Sequence, residues 1–228
     1  PLPYRMAPKS TKMRVAFCKE TPGFETHPEV YKALDTAAEA LGDAGYHVQE
    51  TDLPFLQETG KIAYRTLMGE VSELMGPDIR ALGSNTIQAI FDKYFEQFQP
   101  FKGTKLLHMM AKRTGFARQW SLFMQDYPLI ISPFLPQPFF TPRRDEEGAE
   151  GVQEVLGAAL WSYSINFIGL PAGAIPTRLC KLAKGSQPIN VQIIGQRWRE
   201  DAVVDAMIAI EDRVGTMAQN LWDVLEKN

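Results

Sequence analysis

The sequence predicts an α/β protein on three observations. Residues 13–51 follow a strand–helix–strand pattern, the middle of the chain is helical in its periodicity and free of strand signals, and strand-like apolar runs return after residue 126. Met13-Arg14-Val15-Ala16-Phe17-Cys18 is a short strand-like run. His27-Pro28 then leads into Val30, Leu34, Ala37, Ala38 and Leu41 at helical spacing, and Gly45 closes that helix. Tyr46 to Thr51 alternates as a second strand does, and a strand–helix–strand opening implies parallel pairing. Ahead of it, residues 1–12 hold Pro1, Pro3, Pro8, Lys9 and Lys12 without apolar periodicity, so they read as a linker or arm and the folded part is expected over 13–228.

Residues 58 to about 125 carry helical patterns broken at Gly76-Pro77, Gly83 and Gln99-Pro100, which predicts three or four helices. The aromatics in this stretch, from Phe91 to Phe123, are expected in helix packing, and their number hints at an apolar cavity. Tyr127 to Ser132 reads as a buried strand. Pro133, Pro136, Pro138 and Pro142 then force an extended loop, because each proline fixes its own φ and biases its predecessor away from helix. The charge run Arg143-Arg144-Asp145-Glu146-Glu147 is expected on the surface. A helix from about Gly151 to Ile168 should end at Gly169-Leu170-Pro171. Ala172–Pro176 and Ile189–Ile194 should then form neighbouring strands, and Ala202, Val203, Ala206, Met207, Ile210 and Val214 mark one face of an amphipathic helix.

Composition limits the functions available. Lys and Arg number 24 against 27 Asp and Glu, a formal net charge of −3, and 45% of the 228 residues are hydrophobic. That balance excludes nucleic-acid binding through a basic field and a wholly disordered chain. Cys18 and Cys180 give no disulfide framework and are expected as free thiols in a reducing cytoplasm. His27, His47 and His108 lack metal-ligand spacing, so no metal is expected. No run approaches the roughly 18 apolar residues of a membrane span, so the expectation is a soluble, cytoplasmic protein with no membrane partner.

GxSxG, a serine followed three residues later by lysine, GxGxxG and GxxxxGK[ST] are all missing, so no cofactor is expected. The sequence leaves a Cys–His dyad open, although Cys18, at the end of an apolar run, is a residue that more often packs than reacts. From the residues alone the chain is an α/β domain without an assigned activity.

A resemblance goes further. Ser164-Ile165-Asn166-Phe167-Ile168-Gly169-Leu170-Pro171-Ala172-Gly173-Ala174-Ile175-Pro176, then Pro188 to Gly195 and the helix containing Glu200, resembles the C-terminal part of the amidase signature family. Asp126, Pro133, Pro136 and Pro138 match a second, proline-spaced segment of that family, and residues 13–51 are similar to the region after its signature sequence. Ile165, Ile168 and Asn190 depart from the usual Phe, Thr and Gly, and Arg178 to Lys184 makes an unusual basic connection between the two strands.

The resemblance implies part of an α/β/α sandwich with a mixed, mainly parallel sheet that lacks several strands. It also implies an enzyme that hydrolyses a carboxylic amide to acid and ammonia or amine through a Ser/Ser/Lys set. None of the serines here sits in a Gly/Ser-rich stretch of that kind, so no catalytic residue is assigned to this chain. The expectation is the C-terminal portion of an amidase, inactive alone and partnered by a missing N-terminal catalytic half, with a homodimer as a candidate arrangement. Phe134, Pro136 and Trp161 are candidate substrate-binding residues for a small amide with an apolar or aromatic group. Asn166 is expected to hydrogen-bond the backbone of the turn at Gly169-Leu170-Pro171. The alternatives are a noncatalytic binding or regulatory module on the same scaffold, and the amidase-like component of a tRNA-dependent amidotransferase.

Overall fold

The computed structural model describes residues 13–53, 55–138, 140–182 and 185–226, so the expected arm at 1–12 lies outside the described residues. In chain order these form β1 (Arg14–Phe17), α1 (Pro28–Asp43), β2 (His47–Glu50), α2 (Leu56–Leu74), α3 (Gly76–Leu82), α4 (Asn85–Phe98) and α5 (Gly103–Asp126). There follow β3 (Leu129–Pro133), α6 (Ala149–Val155), α7 (Leu160–Ile168), β4 (Ala172–Leu182), β5 (Gly185–Gly195), α8 (Glu200–Val214) and α9 (Met217–Glu226). They divide into two compact units, one of residues 13–53, 120–138 and 169–226 and the other of residues 55–119 and 140–168.

The first unit holds a five-stranded sheet in the order β2-β1-β3-β5-β4. β1 pairs in parallel with β2 and with β3, whereas β5 runs antiparallel to both β3 and β4, so the sheet is mixed. The α/β class is therefore the observed one. α1 begins where Pro28 occupies the first turn and the His27 Nδ1 accepts from the Glu29 N–H at 3.1 Å, which satisfies a donor the helix itself leaves free. Its Val30, Ala33, Leu34, Ala37 and Leu41 are buried at the predicted spacing. With α8 they form a core against Val15, Phe17, Leu129, Ile131, Val191 and Ile193, alternate residues on one face of the sheet. Each fully buried Val, Leu or Ile of this core contributes about 1.5–3 kcal/mol.

Two expectations are corrected here. The single helix over 151–168 is divided into α6, a 3-10 turn at Gly157–Ala159, and α7. The Tyr64 hydroxyl donates to the Leu156 and Gly157 carbonyls at 2.7 and 2.8 Å, taking acceptors that a continuous helix would use itself. The basic segment Arg178–Leu182 is not a connection but the far end of β4. The register shifts between Pro176 and Arg178, and the buried Thr177 hydroxyl donates to the Ala33 carbonyl at 2.9 Å, so the strand passes its proline and continues. The charge run at 143–147 lies at the surface as expected, with Arg143 and Glu147 exposed, and it is pinned there. Arg144 pairs with Glu147 and Glu154 at 2.6 Å each, the Tyr94 hydroxyl donates to Asp145 at 3.1 Å, and the Lys93 ammonium donates to the Glu146 carbonyl at 2.8 Å. α9 has no counterpart among the predicted elements. Among the described residues no helix is long and apolar enough to cross a membrane.

Candidate functional site

The second unit is helical, and its concave feature arises from helix periodicity. One face of α2 presents Ala63, Thr66, Leu67 and Glu70 at offsets of 0, 3, 4 and 7. α7 offers Tyr163, Asn166 and Phe167 at offsets of 0, 3 and 4, and α5 offers Met110 and Arg113. Together they line a cleft of about 260 Å³. Its wall is fixed from behind: Tyr64 stacks on Phe98 with ring centroids 4.8 Å apart and meets Tyr163 at 4.3 Å, while Phe167 meets Phe116 at 6.3 Å. Burial raises the Tyr163 phenol above its ordinary value, so it faces the cleft uncharged at neutral pH.

The polar groups of the cleft differ from their neighbours in how they are satisfied. Thr59 and Ser164, on α2 and α7, return their hydroxyls to the carbonyl four residues back, at 2.8 Å each. The Thr66 hydroxyl is buried without a hydrogen-bond partner among the described residues, on a residue only 3% exposed. Neither Glu70 nor Arg113, which both line the cleft, takes part in an ion pair among the described residues. Among the described residues no Ser, Cys or Lys lines the cleft, so it supplies no nucleophile paired with a base. The arrangement presents a carboxylate, a guanidinium, a phenol and an apolar wall to a small molecule.

The sequence candidates stand elsewhere. Phe134 is half-buried in the bend after β3, and Pro136 is buried, its carbonyl accepting from the His27 N–H at 2.9 Å. Trp161 is 1% exposed within α7. None of the three lines the cleft. Asn166 does, with an exposed side chain, which corrects the expectation of a buried amide tied into the following turn. Thr66, Glu70 and Arg113 were missed, although polar residues interrupting the apolar face of α2 were the available signal.

Cys18 answers the open question of a thiol nucleophile. It is buried, its Sγ donates to the Thr51 carbonyl at 3.1 Å, and burial followed by the nearby Asp52 charge pushes its pKa up to about 12. A thiol held neutral is no nucleophile at physiological pH. Both cysteines are free and buried. Among the described residues no group of three or more His, Cys, Asp or Glu side chains is placed to hold a metal ion.

Comparison with known proteins supplies what the geometry does not. The family model named Amidase matches residues 3–204. The chain is 30% identical over 215 residues to an indoleacetamide hydrolase of Bradyrhizobium diazoefficiens, covering 94% of this chain and 40% of that protein. It is 24% identical over 222 residues to one component of the glutamyl-tRNA(Gln) amidotransferase of Latilactobacillus sakei, covering 87% and 44% of the two chains. The structure of Kluyveromyces lactis allophanate hydrolase superposes with a TM-score of 0.69 at 19% identity, covering 90% of this chain and 33% of that one, which speaks to the fold alone. The chain thus spans well under half the length of these proteins.

Proposed function

Because this chain belongs to the amidase family, we propose that it forms the C-terminal part of an amide hydrolase, one that converts a carboxylic amide to acid and ammonia or amine. The single observation that carries this reading is the 30% identity to an indoleacetamide hydrolase across 94% of the chain. The Ser/Ser/Lys chemistry would then come from residues outside this chain, in an N-terminal catalytic half. These 228 residues would supply sheet, pocket wall and assembly surface, including the contact of a homodimer. Phe134, Pro136 and Trp161 are kept as wall residues for an aromatic or apolar acyl group. Two free, buried thiols support a reducing, cytoplasmic site of action. The likeness to an amidotransferase component, at 24% identity, supports the second reading less strongly.

The test is ammonia release by the native protein that contains this chain, purified from its source. It should cleave indole-3-acetamide with a kcat/KM at least about tenfold above that for propionamide, a difference that corresponds to one aromatic pocket contact. The 228-residue chain alone should release none. Release from glutamine only in the presence of an acceptor tRNA would move the assignment to an amidotransferase component. No release from any amide would leave a binding module.

A further inference from the structure

The cleft lined by α2, α5 and α7 takes all of its lining from the second unit. We propose that it is a binding site for a zwitterionic amino acid with an aromatic or branched apolar side chain. Arg113 takes the carboxylate, Glu70 takes the ammonium, the Thr66 hydroxyl completes the polar set, and Leu67, Met110 and Phe167 receive the side chain.

Three observations lead there. First, a carboxylate and a guanidinium line one cleft without pairing, whereas Arg80 of the same unit pairs with Asp92, and Arg65 donates to the Gln99 carbonyl at 2.9 Å and stacks over Phe101. A ligand carrying a single charge would satisfy one of these groups and be repelled by the other. A neutral amide would leave both uncompensated, so only a ligand with both charges complements the pair. Second, a buried hydroxyl without a partner is costly, and a polar ligand atom removes that cost. Third, a volume of about 260 Å³ with aromatic and thioether walls suits one amino acid and is below the size range of drug-like ligands.

The test is calorimetric titration of the full 228-residue chain with L-phenylalanine. Saturable binding with a Kd between about 0.1 and 1 mM is expected. Glu70→Gln and Arg113→Gln, both at positions at least partly open to solvent, should each weaken it about tenfold while leaving the circular dichroism spectrum unchanged. Thr66→Val, which keeps the shape and removes the hydroxyl, should weaken it about threefold. The charges should also cross-check. N-acetyl-L-phenylalanine, without the ammonium, should bind Glu70→Gln at least as well as it binds the parent chain, and L-phenylalaninamide, without the carboxylate, should bind Arg113→Gln at least as well as it binds the parent chain. No saturable binding up to about 10 mM overturns the proposal. So does binding that ignores both substitutions, or L-phenylalaninamide binding as tightly as L-phenylalanine. The readout is binding, so its failure leaves the hydrolase reading standing, and the failure of hydrolysis leaves this one standing.

Discussion

At the scale of single residues, environment decides what a reactive group can do. Cys18 follows β1 inside the core, and its raised pKa favours the neutral thiol in the folded state. The stability this contributes is fully present below the ordinary thiol value of about 8.5 and is lost as pH rises towards about 12, where the folded thiol ionises. We therefore expect alkylation of Cys18 by iodoacetamide at about pH 8 to run at least about a hundredfold slower in the folded chain than in urea, read by mass spectrometry. A Cys18→Ala chain should show a shallower loss of stability between about pH 9 and 11 than its parent, and equal slopes would contradict the assignment. The sequence made Cys18 legible as a packing residue because its neighbours are apolar and consecutive. The cleft was not legible. Glu70, Arg113 and Asn166 come from three helices separated by more than forty residues each, and nothing local marks side chains that converge only after folding.

Among elements, close approach separates glycines that tolerate a methyl group from those that do not. A Cβ on Gly69 of α2 would stand 2.4 Å from the Phe101 carbonyl oxygen, and backbone cannot swing aside. A Cβ on Gly173 of β4 would meet the Met207 sulfur at 2.3 Å, the far end of a flexible side chain. Gly69→Ala should cost about 2–3 kcal/mol in urea unfolding, and Gly173→Ala under about 1 kcal/mol. The reverse order would mean that the turn at Phe101 is softer than the packing around α8. Most elements were readable because helical and strand periods differ, and the helices from α2 to α5 are separated at the predicted Gly and Pro breaks. The break between α6 and α7 was hidden for a physical reason. It is imposed by the Tyr64 hydroxyl, 92 residues away from Leu156, and no local pattern carries so distant a donor. The length of β4 was hidden by its proline, which usually ends a strand and here is absorbed by a register shift.

For the whole molecule, Leu74, Leu82, Leu107, Trp198, Trp222 and Leu225 are each more than 60% exposed among the described residues. Trp198 also holds a left-handed backbone at φ 66°, an uncommon state for a bulky residue. Covering these side chains would take their apolar area out of water, so we expect the isolated chain to bind a hydrophobic dye and to sediment as an assembly larger than 25.6 kDa. A dye-silent monomer would show that these side chains need no partner. The two units are also interleaved, since the chain passes from the first to the second and back twice before it ends. During synthesis β3 emerges with β1 already available, yet its other neighbour, β5, is made some sixty residues later. A ribosome paused after α7 would therefore hold a chain whose first unit lacks two of its five strands, with one side of β3 still unpaired. The interval between translating β3 and β5 is thus the window in which this polypeptide is most open to chaperone capture or to aggregation.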